Sequence, residues 1–401
     1  MSRTLSCQDC ICHEIVKTMS LITKTTDLEA FCKRAEASFY ITVDTEFIRE
    51  KTYWSELCLI QVGLEDEAVA IDPLAQGIDL SSFFALLQNQ EVIKVFHSGR
   101  QDIEIFYHLT GAIPAPLFDT QIAAMVCGFG ESVGYDVLVQ KYVQISIDKS
   151  SRYTHWGQRP LTDKQLAYAL GDVIHLRTIY ERLKEKVTKE DRFHWVEEEL
   201  AILKNPATYE MDPYSMWKKL RVRSPKPRML AILRELAAWR EIIAQERNIP
   251  RVRVMRDELM LELATSSPRS QEELGRMRGK ARFFFNSEDA RTVLELIEKA
   301  QALPLEDCPQ VTKREDSPAG FSSLVEILRL LLKICSDKHH VAPKLLATTS
   351  DLEDIARSAN PTTPALEGWR YEIFGKSALA LKEGKIALGL KNKKITLIEV
   401  K

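Results

Sequence analysis

Tyr40-Ile41-Thr42-Val43-Asp44-Thr45-Glu46 reads as a β-strand that ends on two carboxylates. Side chains alternate faces along a strand, so Asp44 and Glu46, two residues apart, share one face. Tyr40, Ile41 and Val43 supply apolar neighbours. Two carboxylates side by side repel each other, and a cation between them removes the repulsion. Hard divalent ions that prefer oxygen, Mg²⁺ or Mn²⁺, suit such a pair. The plainer reading is an exposed strand end with solvated acids. The surrounding sequence decides between the two.

The strand spans Phe39–Phe47, and Asp27 to Ala35 reads as a short helix before it. Strands follow at Glu56–Val62, Ala68–Ile71 and Val92–Phe96, with a helix over Leu80–Gln88. Strands on short connections that then alternate with helices predict an α/β domain with a mixed sheet. His97-Ser98-Gly99-Arg100-Gln101-Asp102 leads into an apolar helix that stops at Gly111. Asp102 thus falls in the first turns of a helix just past a strand's carboxyl end, where open α/β sheets gather active sites. An acid favoured there by the helix dipole is the ordinary alternative. Asp119 reads as the N-cap of the next helix.

Thr162 and Gln165 form a capping box, and the helix they open carries Tyr168 and Asp172. A spacing of four puts both on one helix face. Their neighbours Ala167, Ala169, Leu170 and Gly171 are small or apolar. An acid in such a stretch is rare unless paired or metal-bound, and a hydrogen bond between the two residues would also account for it. Upstream, Asp148 to Leu161 interleaves Lys149, Arg152, His155, Trp156 and Arg159. Cations for phosphates and a ring for a base suit a strand of nucleic acid, and they suit an ordinary exposed loop too.

Taken together, these pieces resemble the DEDD superfamily of 3′→5′ exonucleases: Asp44 and Glu46 as the D-x-E, Asp102 as the next acid, and Tyr168 with Asp172 as the closing Y-x3-D. The tyrosine four residues before the last Asp marks the tyrosine-type branch. VDTEFIREKTYWSELCLIQVG, FHSGRQDIEIF, LFDTQIAA and DKSSRYTHWGQRPLTDKQLAYALGDV look like the ribonuclease D family, over about Asp27 to Leu183. The resemblance implies a ribonuclease H-like α/β exonuclease domain and hydrolysis assisted by two divalent ions that clamp the attacking and leaving oxygens. It implies that Asp44 bridges both ions, that Glu46 and Asp172 complete the site of the water-activating ion, and that Asp102 holds the second. Tyr168 would align the attacking water, and 5′-mononucleotides would leave one at a time from a 3′-hydroxyl end. Ser98-Gly99-Arg100-Gln101 departs from the family pattern, where a small residue and an acid are expected. Arg100 adds a cation near the site and joins His97 and the loop residues Lys149, Arg152, His155, Trp156 and Arg159 as expected substrate-binding positions.

Beyond Leu183 the chain reads as helical. A connector over 188–223 leads to a helical domain over 224–305, in which Leu230, Leu233, Leu236, Ala237, Ile243 and Ala244 recur at core spacing. A charged linker over 306–319 precedes a similar order over 320–401: Val341-Ala342-Pro343 parallels Ile249-Pro250, and Asp351-Leu352-Glu353 parallels Asp257-Glu258-Leu259. The two resemble helicase-and-ribonuclease-D C-terminal (HRDC) domains, all-α modules that bind nucleic acid; Lys394 to Val400 at the end looks strand-like. Lys218, Lys219, Arg221, Arg223, Lys226, Arg228, Arg247, Arg251, Arg253 and Arg256 read as a basic stripe for an RNA duplex, interrupted by Glu235, Glu241 and Glu246, or as ordinary solvated helix faces.

The 401 residues suffice for two or three domains, and 45% hydrophobic with 28% charged is ordinary for a globular protein. The formal net charge of −2 excludes a global polycation, so nucleic-acid binding has to rest on local basic patches. Apolar runs such as Leu330-Leu331-Leu332 are far shorter than a bilayer requires. Met1 to Ser20 lacks the apolar core of a secretion signal. Eight scattered cysteines suit a reducing compartment. A cytoplasmic monomer is expected, with residues 1–20 as a disordered extension, the exonuclease over 21–187, and Met19 a candidate for the true start. Cys7, Cys10, Cys12 and His13 read as zinc ligands or as part of that extension; adjacent Cys12 and His13 strain around one tetrahedral ion. The expected function is a 3′→5′ exoribonuclease trimming tRNA precursors and other small RNAs. The rivals are a single-stranded DNA exonuclease and a non-catalytic RNA-binding protein on the same fold.

Overall fold

The structure is a computed structural model and describes residues 19–277, 287–310 and 320–400; Cys7, Cys10, Cys12 and His13 lie outside them. The described residues form two compact units, one within 1–46, 57–206 and 316–401, the other within 47–56 and 207–315.

The first unit is built on a mixed six-stranded sheet in the order β1-β4-β3-β2-β5-β6. Its strands are β1 (Met19–Ile22), β2 (Tyr40–Ile48), β3 (Glu56–Gly63), β4 (Ala68–Ile71), β5 (Ile93–Phe96) and β6 (Leu117–Asp119). β2, β5 and β6 run parallel, with Thr42 opposite Val95 and Phe96 opposite Asp119. β1 corrects the expectation for the N-terminus: Met19 and Ser20, assigned to the extension, pair in parallel with Ala68 and Val69. Four residues are too few for a strand alternation to show in the sequence.

Helices α1 (Thr25–Ala35), α2 (Ser81–Gln88), α3 (Arg100–Thr110), α4 (Thr120–Val126), α5 (Tyr135–Tyr142) and α6 (Asp163–Lys189) accompany the sheet. The capping box of Thr162 and Gln165 opens α6 as expected. Its buried face, including Ala169, Val173, Leu176 and Leu183, supplies core. Two features bring α6 against the sheet. The Thr42 hydroxyl donates to the carbonyl of Val173 at 2.8 Å. Gly63 lacks the Cβ that would sit 2.5 Å from Thr42 Oγ1 and 3.1 Å from that same carbonyl. Only a residue without a side chain admits the helix backbone here.

α7 (Phe193–Leu200) follows in the same unit. Trp195 stacks on Trp369 with ring centroids 4.4 Å apart, and Arg192 donates to the carbonyls of Val126, His339 and His340. The end of the chain is therefore fastened to the sheet unit.

In the second unit, α8 (Pro227–Glu246), α9 (Arg251–Val254), α10 (Asp257–Ser266), α11 (Gln271–Arg276) and α12 (Ser287–Ala302) enclose a core of Leu230, Leu233, Leu236, Met260, Leu263, Val293 and Ile297. The order of long helix, four-residue helix and medium helix recurs in the first unit as α13 (Phe321–His339), α14 (Pro343–Leu346) and α15 (Thr349–Arg357). The chain closes on a hairpin of β7 (Ile386–Lys391) and β8 (Lys394–Glu399), as the strand-like composition suggested. No helix among the described residues is long and apolar enough to cross a membrane.

Candidate active site

Asp44 lies two residues past the Thr42–Val95 pairing, at the carboxyl edge of the parallel strands β2, β5 and β6. Asp172 reaches it from α6, the neighbour of the Val173 carbonyl that Thr42 holds. One oxygen from each of Asp44, Glu46 and Asp172 lies within 4.8 Å of the others, and all three side chains remain partly open to solvent. Asp102 is in the first turn of α3, is 7% exposed, and accepts a hydrogen bond from the Thr45 hydroxyl. It stands outside the tight trio, although its charge acts on both Asp44 and Glu46.

Each acid holds its proton more tightly than a free carboxyl. Burial raises Asp44 well above the ordinary value, and the charges of Asp102, Asp172 and Glu46 add to it. Burial, then Asp172 and Asp102, push Glu46 up to about 9. Asp172 rises to about 7 through burial, against the hydrogen bond from Tyr168. Asp102 rises to about 6 through burial, moderated by the Thr45 hydrogen bond. An oxygen-only set of crowded carboxylates that resists ionising is the donor set a hard divalent cation fits, since the ion replaces the protons. Burial and the charges of Asp172, Glu46 and Asp44 also raise the Tyr168 phenol, so it keeps its proton and acts as a donor.

Of the expected substrate-binding residues, Arg152 lies close enough for its charge to lower the pKa values of Glu46, Asp172 and Tyr168, and Lys149 lowers that of Asp172 as well. Lys149 pairs with Asp136 at 2.8 Å. His155 and Arg100 are exposed. His97 is turned inward, with Nδ1 2.9 Å from Thr120 Oγ1 and its ring 5.5 Å from that of Tyr135; burial lowers its pKa. Trp156 is 3% exposed and packs with its ring centroid 6.1 Å from Tyr168, a backing for the tyrosine rather than a free stacking platform.

Arg159 is a correction. Its guanidinium forks Asp72 through two 2.7 Å contacts and donates to the carbonyls of Cys58 and Trp156, so no donor pair is left to grip a phosphate. Arg159→Ala strands a buried carboxylate and is expected to cost about 3–5 kcal/mol of stability. Thermal denaturation should show the loss, while RNA affinity of the folded fraction stays at the wild-type value.

Asp119 caps α4 as the sequence indicated, accepting from the amides of Gln121 and Ile122. It also accepts from the amides of Ser98 and Gly99, which fixes the turn carrying α3 and Asp102. Sequence spacing alone does not point to Thr45 or Tyr135. Thr45 was hidden by its place between two acids. The Tyr135 hydroxyl donates to the Gly171 carbonyl at 2.8 Å and feels the charges of Asp172 and Asp44; no spacing rule joins it to them.

In the second unit, part of the basic stripe is spent on structure. Arg251 forks Glu241 and donates to the Tyr53 hydroxyl, Arg247 pairs with Asp289 at 2.9 Å, and Arg228 donates to the carbonyls of Gln301 and Leu303. Glu235 and Glu241, which interrupt the stripe in sequence, are 5% and 0% exposed and paired inside. Lys218, Lys219, Arg221, Arg223, Lys226, Arg253 and Arg256 are exposed.

Residues 19–188, which carry the mixed sheet and the acid cluster, match the 3′-5′ exonuclease family, with 229–283 matching the HRDC domain. The chain is 49% identical to ribonuclease D of Granulibacter bethesdensis, covering 94% of this chain and 96% of that protein. It is 45% identical to ribonuclease D of Gluconacetobacter diazotrophicus, with 94% and 96% covered. The crystal structure of Escherichia coli RNase D superposes with a TM-score of 0.75 at 30% identity, covering 91% of this chain and 98% of that one. The chain belongs to the ribonuclease D family and is a 3′→5′ exoribonuclease.

Proposed function

We propose that this exoribonuclease trims the 3′ ends of structured RNAs, tRNA precursors among them, and releases 5′-mononucleotides. The observation that carries the reading is the convergence of the Asp44, Glu46 and Asp172 oxygens within 4.8 Å beside Asp102 and Tyr168. The E. coli RNase D whose fold matches is described as an exoribonuclease involved in structured RNA processing.

Asp44, Glu46 and Asp172 would hold divalent cations, Mg²⁺ or Mn²⁺ and two in number, with Asp102 contributing from its place beside Thr45. Bound there, such ions supply charge neutralisation at the phosphoryl oxygens and a more acidic water. Tyr168, protonated and anchored on Asp172, orients the attacking water and cannot itself serve as base at neutral pH. Arg152 draws the terminal phosphates toward the acids, and Arg100, Lys149, His155 and His97 border the path or support it. The matched HRDC segment and the exposed cations from Lys218 to Arg256 hold the body of the RNA, and 320–401 is a second, divergent copy of that module on the evidence of its recurring helix order. The protein works as a monomer in the cytoplasm.

A 3′-extended tRNA precursor and a single-stranded DNA of equal length, incubated with the protein in Mg²⁺ and in Mn²⁺, separate this reading from its nearest rival. Mononucleotides should leave the RNA from its 3′ end and the DNA should be degraded more slowly. Equal rates on DNA would reassign the substrate.

A further inference from the structure

Charge is distributed unevenly along this chain. Residues 376–401 hold seven lysines against two glutamates, whereas the other 375 residues hold 48 basic and 55 acidic side chains. A net-acidic body repels a polyanion, and a local basic element offsets that repulsion.

The structure gathers part of this surplus at one point. β7 and β8 pair antiparallel, with Lys391 directly opposite Lys394. Asn392 and Lys393, at φ 52° and 63°, make the tight turn between them. Successive left-handed residues suit a two-residue hairpin turn, for which Asn-Gly is the usual choice. Here the second position is a lysine. Lys391 and Lys393 are exposed at the tip, while Lys385 pairs with Glu383 and Lys382 donates to the Ser358 carbonyl. The other face carries the cross-strand pairs Leu388–Leu397 and Leu390–Ile395, with Leu390 75% exposed and Leu397 43% exposed.

We propose that the tip of this hairpin binds the phosphate backbone of structured RNA, as a contact separate from the acid cluster. The inference rests on the reading above that structured RNA is the substrate. It chooses RNA over a protein partner because the tip concentrates positive charge on an otherwise acidic enzyme. Each phosphate neutralised releases a counterion, so the contact is legible in the salt dependence of binding.

The test uses full-length Lys391→Ala/Lys393→Ala and, separately, Leu390→Ser/Leu397→Ser. Binding to a 3′-extended tRNA is followed by fluorescence anisotropy across a salt series with EDTA present, and hydrolysis of a short single-stranded RNA is measured in Mg²⁺. The lysine variant should bind the structured RNA roughly five- to tenfold more weakly, with a log–log salt slope less steep by about two. It should hydrolyse the short RNA at the wild-type rate, and the leucine variant should bind the tRNA as wild type does. Unchanged affinity and slope in the lysine variant would overturn the proposal while leaving the ribonuclease reading intact. A change confined to the leucine variant, accompanied by a change in mass by light scattering, would overturn it in favour of a protein interface. Failure of the wild type to hydrolyse any RNA would overturn the substrate reading and this proposal with it.

Discussion

Asp44→Asn should lower nucleotide release roughly a thousandfold or more, because the acid cluster loses several kcal/mol of charge stabilisation and each 1.36 kcal/mol is tenfold. The same change should make the metal-free protein more stable at alkaline pH. The sign follows from linkage. The acids of the cluster have folded-state pKa values raised above their unfolded ones, Asp172 to about 7 and Glu46 to about 9. Between about pH 4 and those values the folded protein holds protons that the unfolded chain has released, so metal-free stability is lost as pH rises through the window. Asn carries no charge and removes one contributor to that loss. Melting temperatures of metal-free wild type and variant, taken from pH 5 to pH 9, should diverge upward with pH in the variant's favour. Divalent ion should raise the wild type much more than the variant. Wild-type activity in Asp44→Asn would remove the mechanism altogether.

Tyr168→Phe should lower kcat roughly a hundredfold and leave the KM for RNA nearly unchanged. The hydroxyl bonds to Asp172 and the ring is backed by Trp156, so phenylalanine keeps the packing and deletes only the donor. Steady-state kinetics on a 3′-extended RNA read the split directly. A raised KM with kcat intact would make Tyr168 a binding residue.

Much of this site can be read from local rules. The i, i+2 spacing of Asp44 and Glu46 and the i, i+4 spacing of Tyr168 and Asp172 each describe one element, and the structure keeps each pair together. What draws α6 against β2 is less visible. It depends on Gly63, whose missing Cβ matters only once Thr42 and Val173 are known to lie beside it. The loop from Asp148 to Leu161 shows the limit most clearly. Composition makes Arg152 and Arg159 equivalent, yet the charge of one reaches the acids and the other clamps Asp72. Asp72 is far from either in sequence, and no pattern connects them. Part of the basic stripe is lost for the same reason: Arg251 is cationic on paper, but its fork to buried Glu241 is a tertiary fact.

The central claim is that Asp44, Glu46 and Asp172 form one cation site. Crystals of the wild type soaked in Mn²⁺ and measured at the manganese absorption edge test it most directly. An anomalous peak bounded by these three carboxylates, absent from Asp44→Asn crystals treated alike, is the result expected; an empty cluster at saturating Mn²⁺, or manganese bound elsewhere with activity intact, would contradict it.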